Sequence, residues 1–255
     1  MFFPLSDDDS QLIRPCFVTW ALIAINLAVF AVQSQNPDFT YGYSTIAKEI
    51  TTGVDLVEPQ FIQVQGETVE IPQAPGPPII YLTLLTSMFM HGGLMHIFGN
   101  MLYLWIFGDN VEHRFGHLWF LVFYLVSGLF ASLAQVSLDP DSVIPSLGAS
   151  GAIFGVLGAY LVLFPRNQVK VIVMYYVVSI PAMFVIGIWA ALQVFMTWGS
   201  LFAVEQTGGV AYAAHLGGLV AGVVMGLIAR AVIKEEPDST IHRVDDRDPR
   251  SRIMW

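Results

Sequence analysis

A serine, three histidines and an asparagine carry most of the chemistry this sequence offers. Ser150 stands in the run Gly148-Ala149-Ser150-Gly151, and His215 follows Ala214. A serine hydroxyl is a weak nucleophile until a base within hydrogen-bond reach takes its proton, and histidine is the commonest such base. His96 and Asn100 lie four positions apart, so on a helix they share one face and can aim two donors at one place. A helix that starts at Ser150 adds its first backbone N–H groups, which lack intrahelical partners and carry the positive end of the dipole. Such donors can receive an oxyanion. His91, five residues before His96, points roughly 140° away from it on a regular helix, so the two form a poor metal pair. There is no HExxH segment and no pair of membrane aspartates, which excludes a helix-borne zinc protease and an intramembrane aspartyl dyad. His113 and His117 are four apart, but no third ligand accompanies them, and they read as part of a solvated loop over 108–116. The plain alternatives are Ser150 as a helix N-cap and each membrane histidine as an interhelical hydrogen bond.

These residues need a scaffold, and the composition names its kind. Of 255 residues 55% are apolar and only 12% charged, against about 25% charged in an ordinary soluble domain. Mean hydropathy is +0.63. The net charge is −9 with eleven Lys and Arg, which excludes a nucleic-acid binder and a disordered chain. The single cysteine, Cys16, excludes a disulfide framework and a cysteine zinc site. Six stretches without Asp, Glu, Lys or Arg approach the roughly 20 residues a spanning helix needs: 16–33, 90–107, 117–137, 149–164, 182–203 and 211–229. The chain is expected to be an all-α polytopic membrane protein, with an uncleaved first helix, since its leading segment carries Asp7, Asp8 and Asp9 and a poor cleavage site.

Six spans leave both termini on one side. Ten basic residues then fall on that side and only Lys48 on the other, which predicts cytoplasmic termini. Loops 34–80, 138–148 and 204–210 face outward. The long 34–80 loop, with six prolines, is expected to be partly structured. The connection 165–181 is rich in β-branched residues and is placed at the cytoplasmic interface until Pro181 opens the next helix. The resulting organisation is an N-terminal cytoplasmic segment 1–15, a membrane domain 16–230, and a disordered cytoplasmic tail 231–255.

Depth converges on one site. The second, fourth and sixth spans run from outside to inside, and His91, His96, Ser150 and His215 each lie near the start of one. All four belong in the outer half of the bilayer. The fourth span has 16 residues, about 24 Å at 1.5 Å per residue, short of a hydrocarbon core of about 30 Å. It therefore begins below the surface, and the loop before it dips into the membrane, which irregular backbone does only when buried or lining water. Gly151, Gly155 and Ala159 form one small-residue stripe, and Ala214, Gly218, Gly222 and Gly226 form another. Such stripes let two helices approach closely and would bring Ser150 beside His215.

In three segments the chain resembles the rhomboid intramembrane serine proteases: His91 to Asn100 (HGGLMHIFGN), Gly148-Ala149-Ser150-Gly151, and Ala214-His215-Leu216-Gly217-Gly218 with Gly222. They match that family's HxxxxHxxxN, GxSG and AHxxGxxxG patterns in order. The resemblance implies a six-transmembrane-helix rhomboid-like bundle and a Ser150–His215 dyad without an acidic third member. It implies an oxyanion hole of His96, Asn100 and the Ser150 N–H, with His91, Gly148, Gly151, Phe154, Gly218 and Gly222 in support. It also implies transmembrane proteins as substrates in the lipid bilayer, no nucleic acid, and neither cofactor nor metal. The compact core suits a bacterial or archaeal plasma membrane, with the active site opening outward. Two positions depart from the family pattern. Leu82-Thr83 stands where some members carry Trp-Arg, and Phe154 stands where some carry Tyr, which keeps a ring to stack on the histidine but loses the hydroxyl. A proteolytically silent relative that escorts membrane proteins is the main alternative; a small transporter is disfavoured by the lack of charged membrane residues and of internal repeats.

Overall fold

The computed structural model describes residues 2–9, 12, 15–64, 66–202 and 212–233. In chain order it gives β1 (Phe2–Ser6), α1 (Phe17–Gln33), α2 (Pro37–Tyr43), α3 (Ala47–Thr52), β2 (Gln60–Val64), β3 (Glu67–Ile71), a short 3-10 turn at Ile80–Leu82, α4 (Thr83–Thr86), another 3-10 turn at Ser87–Phe89, α5 (Leu94–Phe115), α6 (His117–Leu138), α7 (Ser150–Leu163), β4 (Gln168–Val173), β5 (Tyr176–Pro181), α8 (Ala182–Phe202) and α9 (Tyr212–Val232). The expected outer loop at 204–210, the tail beyond 233 and Arg14 lie outside the described residues.

Helix α7 is the hub. It touches α5, α6, α8 and α9, and its run Gly151–Tyr160 is buried without interruption. The helices around it turn large apolar side chains outward: Phe17 and Trp20 on α1, Trp105 on α5, Trp119 and Phe130 on α6, Phe184 and Ile188 on α8, Val224 and Ile228 on α9. A soluble protein seldom exposes that much contiguous apolar surface, and a protein surrounded by lipid does. Among the described residues, α6 and α9 are each long and apolar enough to cross a membrane. The pieces 80–89 and 94–115, bent by 78° at their break, would make a third span. Helices α1 and α7 and the stretch Ala182–Phe195 of α8 are apolar but shorter.

Three expectations change. The second span was drawn over 90–107, but α5 starts at Leu94, because Gly92-Gly93 breaks the chain direction, and it runs on to Phe115. His91 therefore precedes the helix, and 108–116 is helical except for its Gly116 corner. The interfacial stretch 165–181 is a β-hairpin, with β4 between β5 and the N-terminal β1 in one antiparallel sheet. That sheet and the β2–β3 hairpin qualify the all-α reading.

The strand β1 is held to the bundle by a polar knot. Tyr160 of α7 donates to Asp7, and Asn110 of α5 donates to Asp7, Asp9 and Asp109. The oxygens of those three carboxyl groups lie within 4.8 Å of one another. Burial pushes the Asp7 carboxyl from 3.8 up to about 8. Nearby, Glu112 fixes the start of α1: its carboxylate accepts the Val18 and Thr19 N–H groups and the Thr19 hydroxyl, a negative charge at a helix N-terminus, and it also pairs with His117. His117 thus meets the Glu112 carboxylate through its Nδ1.

Candidate active site

The two glycine stripes meet. A Cβ on Gly218 would run into the Gly151 carbonyl, and one on Gly222 into the Gly155 carbonyl, so α7 and α9 touch backbone to backbone. That approach sets Ser150, the first residue of α7, beside His215, the fourth of α9. The Ser150 Oγ lies 2.8 Å from His215 Nε2. Ser150 is not the N-cap, which is Ala149, so its hydroxyl is spent on the imidazole and not on the helix end. The first helical hydrogen bond, from Ile153 N–H to Ala149 C=O, leaves the Ser150, Gly151 and Ala152 amides as the helix's unpaired donors.

His96 enters from α5. Its Nδ1 accepts the Gly92 N–H at 3.2 Å. In the neutral ring the proton then sits on Nε2, the nitrogen that faces Gly148. Gly148 lies between His96 and Ser150: a Cβ there would stand 2.9 Å from His96 Cε1, 3.0 Å from Nε2 and 3.6 Å from the Ser150 Oγ. Its φ of +133° also excludes most L side chains. One turn along α5, Asn100 is buried with no acceptor for its Nδ2, an arrangement that costs stability unless something visits it. His91, off the helix, packs edge-on against His96, ring centroids 5.2 Å apart. Phe154 stacks on His215 at 4.3 Å and 14°, and Trp189 of α8 stacks on Phe154 from behind. A cavity of about 20 Å³ beside Ser150, lined by Ser87, Ser132, Ser146 and Gly148 among others, has room for one water.

Several residues around the site were not legible as such. Gln33, at the end of α1, clamps the His91 backbone: its Oε1 accepts the His91 N–H and its Nε2 donates to the His91 carbonyl. Thr45 of the 34–80 segment pairs with Ser146 backbone to backbone, and its hydroxyl reaches the Thr83 carbonyl and the Ser87 hydroxyl. The Ser87 carbonyl in turn accepts the Gly148 N–H. The 34–80 segment thus braces the irregular backbone that presents Ser150. Gln193 of α8 meets the second nitrogen of His215, with its Oε1 2.9 Å from Nδ1. At the Leu82-Thr83 departure, Thr83 is fully buried and bonds its own turn, while Leu82 is exposed.

The fold and the constellation can be set beside known proteins. The rhomboid domain model matches residues 80–232. This chain belongs to the rhomboid family. It is therefore an integral membrane protein, mostly helical. It is 35% identical over 159 residues to rhomboid protein 1, mitochondrial, of Saccharomyces cerevisiae, covering 60% of this chain and 44% of that one. It is 36% identical over 141 residues to the rhomboid protease GluP of Bacillus subtilis, covering 54% of this chain and 24% of that one. An Arabidopsis thaliana relative named as inactive, RHOMBOID-like protein 8, is 38% identical over 84 residues, 33% of this chain and 23% of that one. The chain spans less than half the length of these relatives. Ser150, His215 and the helices that carry them, from the bend before α5 to α9, fall inside the rhomboid match, whereas the bracing residues Gln33 and Thr45 lie before it.

Proposed function

We propose that this rhomboid-family chain is an intramembrane serine endopeptidase that cleaves transmembrane segments of membrane proteins. The observation that carries the reading is the 2.8 Å contact between Ser150 Oγ and His215 Nε2. Ser150 Oγ attacks the scissile carbonyl while its proton passes to His215 Nε2. The tetrahedral oxyanion is received by the Ser150 N–H, the His96 Nε2–H and the Asn100 amide. His215 then protonates the leaving amine. A water, for which the cavity beside Ser150 has room, gives its proton to His215 and attacks the acyl-enzyme, releasing the second product and restoring both side chains. No acidic residue takes part.

The same reading makes 16–230 a six-span membrane domain with cytoplasmic termini and a site opening outward, in a bacterial or archaeal plasma membrane. A second reading, a silent binding or escort protein, draws on the relative named as inactive. Co-expression with tagged single-span membrane proteins tests the two. Cleavage near a span by the wild type, absent in Ser150→Ala at equal expression, supports the protease. Cleavage that persists in Ser150→Ala would sink the dyad, and stable capture of uncleaved spans by the wild type would favour the escort.

A further inference from the structure

A serine can give its proton to Nε2 only if that nitrogen carries a lone pair, and a neutral imidazole then carries its proton on Nδ1. At His215, Nδ1 faces the Gln193 side-chain oxygen at 2.9 Å. A carbonyl oxygen only accepts, so this contact fixes the proton on Nδ1 and turns the lone pair of Nε2 to Ser150, 2.8 Å away on the other edge of the ring. Phe154 holds the ring face. Trp189, which backs Phe154, lies one helical turn before Gln193 on α8. One helix therefore sets both the plane and the tautomer of the base.

We propose that Gln193 is a positioning residue, a neutral third member that orients His215 for proton transfer from Ser150. The inference rests on the proteolytic reading above and adds to it. Throughout the cycle the Nδ1 proton stays hydrogen-bonded to Gln193 and is never transferred to it. Only the Nε2 proton comes from Ser150 and returns to the leaving amine. An amide suits the site because it selects the tautomer without placing a second charge in a half-buried, low-dielectric setting. A carboxylate there would favour the imidazolium and shift the working range upward in pH. Among the described residues, the titratable group acting on His215 besides Ser150 is His96, from α5.

The test measures the pH dependence of labelling by a fluorescent fluorophosphonate in detergent micelles. The probe needs no known substrate: Ser150 Oγ bonds to phosphorus, fluoride leaves, and the serine proton goes to His215. The chains are wild type, Ser150→Ala, Gln193→Leu and Gln193→Glu, each checked for thermal stability. Loss of the orienting partner lowers labelling of Gln193→Leu by at least about tenfold, a part of the roughly 10²- to 10⁴-fold that a general base supplies. Gln193→Glu restores labelling and moves the acid limb of the profile to higher pH. A folded Gln193→Leu with the wild-type rate and limb overturns the proposal. So does an acid limb unmoved in Gln193→Glu, which decides the matter even if the leucine variant fails to fold. Absent labelling of folded wild type, or labelling that survives in Ser150→Ala, would instead defeat the proteolytic reading itself.

Discussion

What Ser150 does depends on what its hydroxyl is bonded to. As an N-cap it would bond a backbone N–H two or three residues on; here it bonds a histidine 65 residues away. The motif residues were legible because their types, order and position at helix starts all pointed to one depth. The roles of Gln33, Thr45 and Gln193 were not, because each depends on the rotation of one helix against another, which no local pattern encodes. Gln193 is a polar residue in an apolar span, and that cost is the signal that finds it. His91 was misplaced for a related reason: a periodicity argument assumes an unbroken helix, and Gly92-Gly93 breaks it. The buried, unpaired Asn100 amide gives a prediction at this scale. Asn100→Ala should fold as well as wild type or better, because it removes an unsatisfied buried group. It should cut the turnover of a cleaved substrate by about 10²- to 10³-fold. Steady-state rates beside melting curves check both halves; unchanged turnover would remove Asn100 from the oxyanion site.

Among the elements, the helices were legible and the strands were not. Five of the six uncharged apolar runs locate α1 and α6 to α9 within three residues, the second misses both ends of α5, and the small-residue stripes anticipate the backbone contact of α7 with α9. The β4–β5 hairpin turns at Met174-Tyr175, which lacks the Asn-Gly or Asp-Gly signal of a tight hairpin. The strand β1 pairs with a segment more than 160 residues away, so nothing local marks it. Its docking through Asp7 has a testable pH dependence. The docked carboxyl titrates at about 8, mainly through burial, against 3.8 ordinarily. Between these values the docked state holds a proton that the undocked state has lost, so docking weakens as pH rises across that window and is strongest below it. Limited proteolysis of the N-terminal strand in micelles should therefore quicken from pH 6 to pH 9. Asp7→Asn should flatten that rise, and a wild-type rate that is level or falling with pH would contradict the assignment.

For the whole molecule, a central helix buried on every side and a ring of helices with apolar exteriors describe a protein solvated by lipid. The hydropathy pattern gives that class directly. The count of spans is harder to read, because α1 with 17 residues and α7 with 14 fall short of a bilayer's thickness, and a short helix can reach the site from below the surface only if the loop before it is held by protein or lines water. The contacts of Thr45, Thr83 and Ser87 tie down the half-buried backbone around Ser146 and Gly148. The proposed orientation follows from the basic residues and is checked by single added cysteines, since Cys16 is buried. Phe61→Cys on the outer hairpin (66% exposed) and Tyr175→Cys on the β4–β5 turn (91% exposed) should react oppositely with an impermeant maleimide. In intact cells the first should label and the second only after permeabilisation; the reverse pattern would invert the topology.

The most direct measurement is fluorophosphonate labelling of the purified full chain, comparing wild type with Ser150→Ala and His215→Ala. The account predicts labelling of the wild type and its loss in both variants, with their melting temperatures close to wild type. Labelling that persists in Ser150→Ala, or folded wild type that stays unlabelled in both micelles and lipid, would contradict it.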